Sequence, residues 1–559
     1  MKSHLSALLA AFATSLLSLP LAAEQAEALA AVRPAYHETL LQKLLRHEGV
    51  LPPSNEVYNV RAMFNRESVI PPQCYTKNHE TFNACYVCHQ AGIAGRENVM
   101  NDDDLQAEYS FSDVGMINHW QNLFEDRSAR IAAMSDEEIL AYINQDNYSE
   151  LAERLRAADF QGWIPELKDL QKGTAAFDEF GFAKDGSQWV AFNYKPFPST
   201  FWPTNGSTDD IMIRLGEKYR QTAAGEPSLA VYRANLALLE ANIKGLSRIT
   251  CLPVDEEEVG VDLDGDGTLG TAHEITVHDR WVGAAQDDFK DTFLYPAGTE
   301  FLHTVRYLGF ADNGEITVSP RMKEVRYMKK WRGYGKPTYG RAYEEEGFEK
   351  EAGHLPGYQE VGAHGLDNKN GWSIAGFIEG YNGRLRALTH EENFSCMGCH
   401  NSIGSTIDKT FGFPRKVEGA KGWGYINLKN MPDVPTRGEE EGEFLTYLKR
   451  VGGGSEFRNN EEMTRRWFRE DQPTVPDEKK LAAARDVYDL ITPSRERALQ
   501  LNKAYKTIVE DQDYIYGKDA ILTPPENVFE RIDNETATTL PVDKQYRWDI
   551  LLDWSALAD

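Results

Sequence analysis

Two pentapeptides in this chain, Cys85-Tyr86-Val87-Cys88-His89 and Cys396-Met397-Gly398-Cys399-His400, share the pattern C-x-x-C-H. Two thiols at this spacing add to the two vinyl groups of one haem, and the adjacent imidazole becomes the proximal ligand of its iron. A zinc site gives no reason for a histidine directly after both cysteine pairs. A redox dithiol would open the helix of a βαβ unit, which neither flank suggests. The residues predict two covalently attached haem c groups, held by Cys85, Cys88, His89, Cys396, Cys399 and His400.

The sixth position on each iron decides whether it is closed or open to small molecules. Met431, between Asn430 and Pro432, is the candidate distal ligand of the second haem, with an ordinary core methionine as the competing reading. His119, flanked by Met116 and Trp120, is the candidate for the first, and His79, Met100 and His303 compete with it. His354, His364 and His390 are weaker substitutes for Met431, or acid–base groups.

A second constellation has the first half of a calcium loop. Asp262, Asp264 and Asp266 alternate, Gly267 allows the sharp turn, Thr268 offers a carbonyl, and Leu269 is the apolar residue that follows. His273 stands where the bidentate glutamate belongs, and Glu274 is one residue late. The expected ligands of a structural Ca²⁺ are Asp262, Asp264, Asp266, Thr268 and Glu274, against the alternative of an acidic surface turn.

Haem attachment requires export, and the N-terminus agrees. Lys2, an apolar run from Leu5 to Leu19, and Pro20 to Ala23 have the layout of a secretory signal peptide cleaved after Ala23. No cysteine precedes Cys74, and no stretch is long and apolar enough for a membrane span. A soluble periplasmic protein is expected. The net charge of −27 disfavours nucleic acid and anionic membrane surfaces, and suits a basic redox partner. Four of the six cysteines lie in the haem motifs, leaving Cys74 and Cys251 as one disulfide or two buried thiols.

The elements that must position these groups are read from periodicity and caps. Apolar positions at Leu40, Leu41, Leu44 and Leu45 predict a helix within 34–48. Ser135 to Glu138 opens a helix through Tyr142, and further helices are expected over 149–158, 227–246, 476–490 and 494–510. The aromatic, proline-rich run 192–206 reads as a loop. Strands are expected at 274–278 and 315–319, with a turn at Asn313-Gly314. The fold class expected is mainly α, with cytochrome c-like haem domains and a smaller β-containing middle insertion. Its regions are the leader 1–23, a first haem region 24–130, a helical and loop insertion 131–250, the β-containing region 251–345, a second haem region 346–450 and a helical C-terminal region 451–559.

On its two well-separated motifs, its leader, a histidine after the first motif and Met431-Pro432 after the second, the chain resembles the bacterial di-haem cytochrome c peroxidase superfamily, which includes rubber oxygenases. The resemblance implies a periplasmic di-haem oxidoreductase of peroxidase type, in which the His400 haem relays electrons and the His89 haem activates peroxide or another small oxidant. Two further readings are dioxygen-dependent oxidation of an organic substrate and a di-haem electron carrier without turnover.

Overall fold

The computed structural model describes residues 70–96, 100–109, 111, 115–199, 202–352, 354, 357–454, 456, 458–533 and 542–557. The leader and the helix expected within 34–48 lie outside them. The centre is an antiparallel sheet built from β1 (Val190–Ala191), β2 (Thr208–Arg214), β5 (Glu300–Phe310), β6 (Ile316–Lys330), β7 (Gln359–Glu360), β8 (Leu366–Asp367), β9 (Trp372–Glu379) and β10 (Leu385–Ala387). The order is β1-β2-β5-β6-β9-β8-β7, and β10 pairs with the far part of β9. The remaining strands, β3 (Arg248–Asp255) and β4 (Thr271–Thr276), form a separate two-stranded hairpin.

The longest ladder runs between β5 and β6 across Asn313-Gly314, where Gly314 takes the positive φ of 84° that the turn demands. Gly376 in β9 answers a different need, because a Cβ there would lie 2.7 Å from the Val325 carbonyl oxygen on β6. The β5 register shifts between Arg306 and Leu308. There Asn502 takes over the ladder's work: its Oδ1 accepts from Leu308 N at 3.0 Å and its Nδ2 donates to Leu308 O at 2.8 Å. Asn502→Ala leaves two buried backbone groups unpaired, so an expected loss of about 1–3 kcal/mol should appear as a lower urea midpoint at unchanged slope.

The helices include α1 (Asp136–Ile143), α2 (Leu229–Lys244), α3 (Lys336–Glu351), α4 (His390–Met397), α5 (Glu443–Val451) and α6 (Arg495–Asp511); α1, α4 and α6 pack on the sheet, and α2 packs on the β3–β4 hairpin. Their ends follow sequence rules. Ser135, Ser228 and Ser494 cap α1, α2 and α6 through their side chains, and Gly245 closes α2 in the left-handed conformation. The expected 476–490 helix is two short pieces, Glu478–Ala482 and Val487–Ile491.

This architecture overturns the mainly α, cytochrome c-like fold class, because its largest element is an eight-stranded antiparallel sheet. The reason is visible in β5 and β6. Both faces are covered, so Arg306, Arg321, Lys323 and Glu324 are buried within strands and destroy the alternation by which a strand is read. Each has a partner inside: Arg321 bonds Glu379 of β9, and Lys323 donates to Gly206 O at 2.7 Å. In β9, glycine and a neighbouring glycine-rich stretch hide the strand.

Candidate functional site

Both pentapeptides fold into the same helical turn. In the first, Cys88 N and His89 N both donate to Cys85 O, at 3.1 and 3.0 Å; in the second, Cys399 N and His400 N both donate to Cys396 O, at 3.2 and 2.9 Å. Positions i, i+3 and i+4 of a helical turn share one face, so each turn presents two thiols and an imidazole on the same side.

Different elements hold the two turns. Asn83 Oδ1 caps the first by accepting from Cys85 N at 2.9 Å and Tyr86 N at 3.1 Å. The C-terminal segment closes over it, with Trp548 Nε1 on Tyr86 O at 2.7 Å. The second turn is the end of α4, whose start is a complete capping box between Thr389 and Glu392. Arg386 grips the Glu392 carboxylate through two 2.8 Å bonds.

The fold brings the turns together although they are distant in sequence. Ser405 N donates to Cys88 O at 3.0 Å. The buried Asp102 accepts from Gln90 N at 2.8 Å beside the first motif and from Gly404 N at 3.1 Å beyond the second. Lys350 of α3 reaches Asp102 at 3.4 Å and Ser402 O at 2.7 Å. Burial pushes the Cys88 thiol up, and the Cys399 and Cys74 thiols add to the effect. Cys74 thus lies with the motif thiols, and Cys251 bonds Ala272 O in the hairpin at 3.7 Å. No disulfide joins them; both are free thiols.

Each imidazole has an acceptor at Nδ1. For His89 it is Asp102 Oδ2, at 3.1 Å; for His400 it is the backbone carbonyl of Lys409, at 2.8 Å. Burial opposes ionisation of Asp102, but His89, Lys350 and the Gln90 amide outweigh it and hold the carboxyl below its ordinary value. Burial draws His400 down to about 4, which keeps the ring neutral as a metal ligand requires. The Lys409 carbonyl is aimed by two successive left-handed residues, Asp408 (φ 44°) and Lys409 (φ 67°), both fully buried. Neither is glycine, so the strain is held by the surroundings. Asp408 supplies the anchors: Lys330 Nζ at 2.7 Å, Tyr339 Oη at 3.1 Å, Trp372 Nε1 at 3.2 Å and Tyr295 N at 2.9 Å.

The sheet contributes an ionic wall to the second turn. Glu324 of β6 accepts from Arg326 at 3.0 Å and Lys518 at 3.2 Å, and Lys518 also reaches Ser395 Oγ at 3.4 Å. Burial works against the Glu324 anion, yet the two cations hold its pKa down to about 2 from 4.5. A depressed carboxyl stabilises the fold above its unfolded pKa, and that contribution is lost as pH falls from 4.5 towards 2. The Glu324→Gln variant should lack that slope in acid-unfolding curves over the same window.

His303 on β5 sits opposite Arg326 in register, 3.4 Å from Asp209, and is close enough to His400 to act on it electrostatically. It therefore lies near His400 of the second motif. Met431 is in the large core, with its backbone bonded to Leu428 and Val487. His119 packs edge-on to Trp120 and near Tyr516, and burial draws its pKa down to about 4 against a backbone bond to Ile515. His354 pairs with Glu349 at 2.6 Å and His390 lies 3.8 Å from Glu360.

In the aspartate loop, carboxylate oxygens of Asp262, Asp264 and Glu256 lie within 4.8 Å of one another. Asp266 instead bonds Thr268, and Glu274 pairs with Arg248 at 2.6 Å. Glu256, upstream of the loop and buried, accepts from Leu263 N at 2.6 Å and Gly270 N at 2.9 Å. Sequence reasoning missed Asp102, Asp408, Lys409, Arg326 and Glu256. Asp102 is marked in the sequence only by the acidic run Asp102-Asp103-Asp104, and the others carry no signal, because their roles depend on long-range contacts.

The model of a family described as “-like lipoprotein” matches residues 58–488. An uncharacterized lipoprotein of Aquifex aeolicus (strain VF5) is 31% identical over 534 residues, covering 85% of this chain and 90% of its own. No solved structure matches. These findings overturn the resemblance to di-haem cytochrome c peroxidases and rubber oxygenases, and with it the peroxidase, oxygenase and electron-carrier assignments that rested on it. The physical reason is one of scale: five residues determine a helical turn, and the surrounding fold and its reaction are set elsewhere. Among the described residues no helix is long and apolar enough to cross a membrane.

Proposed function

The chain belongs to a lipoprotein-like family, and within it we propose that this protein is an exported scaffold that attaches two haem c groups side by side. Cys85, Cys88 and His89 take one; Cys396, Cys399 and His400 take the other. The observation that carries this reading is the duplicated turn, with two thiols and an imidazole on one face and each histidine's Nδ1 engaged by an acceptor. That engagement selects the tautomer whose Nε2 faces an iron. Haem held there supplies a redox-active iron whose properties depend on its axial ligands and their hydrogen bonds. The chain's own residues orient the imidazoles through Asp102 and Lys409. His119, neutral by burial, and Met431 keep the chemistry of sixth ligands.

The test is direct. Protein matured in a host that carries the haem-attachment machinery should show, in alkaline pyridine, a spectrum and intact mass corresponding to two thioether-bound haems. Matured protein without covalent haem overturns the reading. Export through a leader cleaved after Ala23 belongs to the same proposal, and periplasmic fractionation of the full chain checks it. A basic surface is the complementary partner for a chain of net charge −27.

We further propose that Ca²⁺ is held by the Asp262 loop with Glu256 in place of Glu274, on the convergence of Glu256, Asp262 and Asp264. Calcium should raise the melting temperature, and Glu256→Gln should abolish the rise; a calcium response that persists in that variant rules the site out.

A further inference from the structure

Resting on the two-haem reading, the two proximal imidazoles differ in what accepts their Nδ1 proton. His89 faces a carboxylate, Asp102 Oδ2 at 3.1 Å, and His400 faces a neutral peptide carbonyl, Lys409 O at 2.8 Å. An anionic acceptor gives the ring imidazolate character, strengthens donation from Nε2 to the iron, and stabilises the ferric state over the ferrous. We infer that the iron held by His89 has the lower reduction potential of the two, and that Asp102 is the positioning residue that sets the difference.

The surroundings of Asp102 support this assignment. Its side chain is 1% exposed, so water does not screen its charge. Gln90 N and Gly404 N orient the carboxylate without neutralising it. Lys350, at 3.4 Å, is the one cation paired with it among the described residues and makes the effect adjustable. On the other side, Arg326 and His303 both act on His400; Glu324 balances Arg326, and Asp209 lies 3.4 Å from His303. The difference between the irons is thereby left to the hydrogen bonds on the rings. The left-handed pair Asp408 and Lys409 serves the neutral side by holding a backbone oxygen, not a carboxylate, on His400.

The experiment is a spectroelectrochemical titration of the matured full chain, with covalent haem counted first in alkaline pyridine. Two midpoints are expected. Asp102→Asn should move the lower one up towards the upper one and leave the upper in place. Lys350→Met, which leaves the carboxylate without its cation, should move the same midpoint further down. A shift of the upper midpoint alone, equal shifts of both, or no shift in either variant overturns the inference while the two-haem reading stands. Loss of covalent haem from the unsubstituted protein overturns the two-haem reading itself, so the two failures are distinguishable.

Discussion

Replacing Cys396 and Cys399 together by alanine should lower the covalent haem content of the matured protein from two per chain to one. On the two-haem proposal, the remaining haem, bonded through Cys85 and Cys88, should resist acid extraction. Thioether formation needs a thiol at each vinyl group, and the second pentapeptide holds no thiol besides Cys396 and Cys399. The backbone of the turn does not depend on the thiols: it rests on Cys396 O, on the Thr389–Glu392 capping box and on Arg386. The double variant should therefore stay folded, and its absorbance in alkaline pyridine should fall by half. The reciprocal Cys85→Ala, Cys88→Ala variant gives the mirror result. Unchanged haem content in either variant would remove that motif from the attachment site.

Asp408→Ala should be the most destabilising single change near the site. The carboxylate and Lys330 are both buried to 1% exposure or less, and removing one member of a buried ion pair costs about 3–5 kcal/mol. Part of the loss is recovered because burial already lowers the Lys330 pKa, so the amine can shed its proton. Two other donors, Trp372 Nε1 and the Tyr295 amide, lose their acceptor at once, and Tyr339 is left with the Asn370 carbonyl at 3.0 Å. The left-handed backbone at Asp408 also loses the contacts that hold it. Urea unfolding should show a large drop in midpoint. Asp408→Asn keeps the shape and an acceptor oxygen, and should cost distinctly less. Because the turn aims Lys409 O at His400, a changed absorption spectrum of the second haem should accompany the alanine variant and be weaker in the asparagine one.

Much of the local structure was legible from the chain. Ser135 and Ser494 mark helix starts where they are found, the helix expected over 227–246 runs Leu229–Lys244, and Asn313-Gly314 marks the β5–β6 turn. These features act within a few residues, where spacing is geometry. The sheet was not legible. Buried Arg306, Arg321 and Glu324 spoil the alternation of β5 and β6, and their partners Asp210, Glu379 and Lys518 lie far along the chain.

The aspartate loop shows the boundary within one feature. Asp262, Asp264 and Gly267 follow a local pattern, and the structure keeps Asp262 and Asp264 together. The third carboxylate comes from Glu256, because the hairpin folds the upstream strand end back over the loop, while Glu274 is taken by Arg248. A spacing rule that looks only downstream has no access to that choice.

The sequence alone determined the two C-x-x-C-H turns and the face that each presents, because positions i, i+3 and i+4 of a helical turn converge whatever surrounds them. Tertiary structure decided everything that makes the turns a site: their contact through Ser405 and Gly404, the carboxylate behind His89 and the peptide carbonyl behind His400. Those partners are brought in by chain segments whose approach depends on how the eight-stranded sheet packs, and packing is a property of the whole chain.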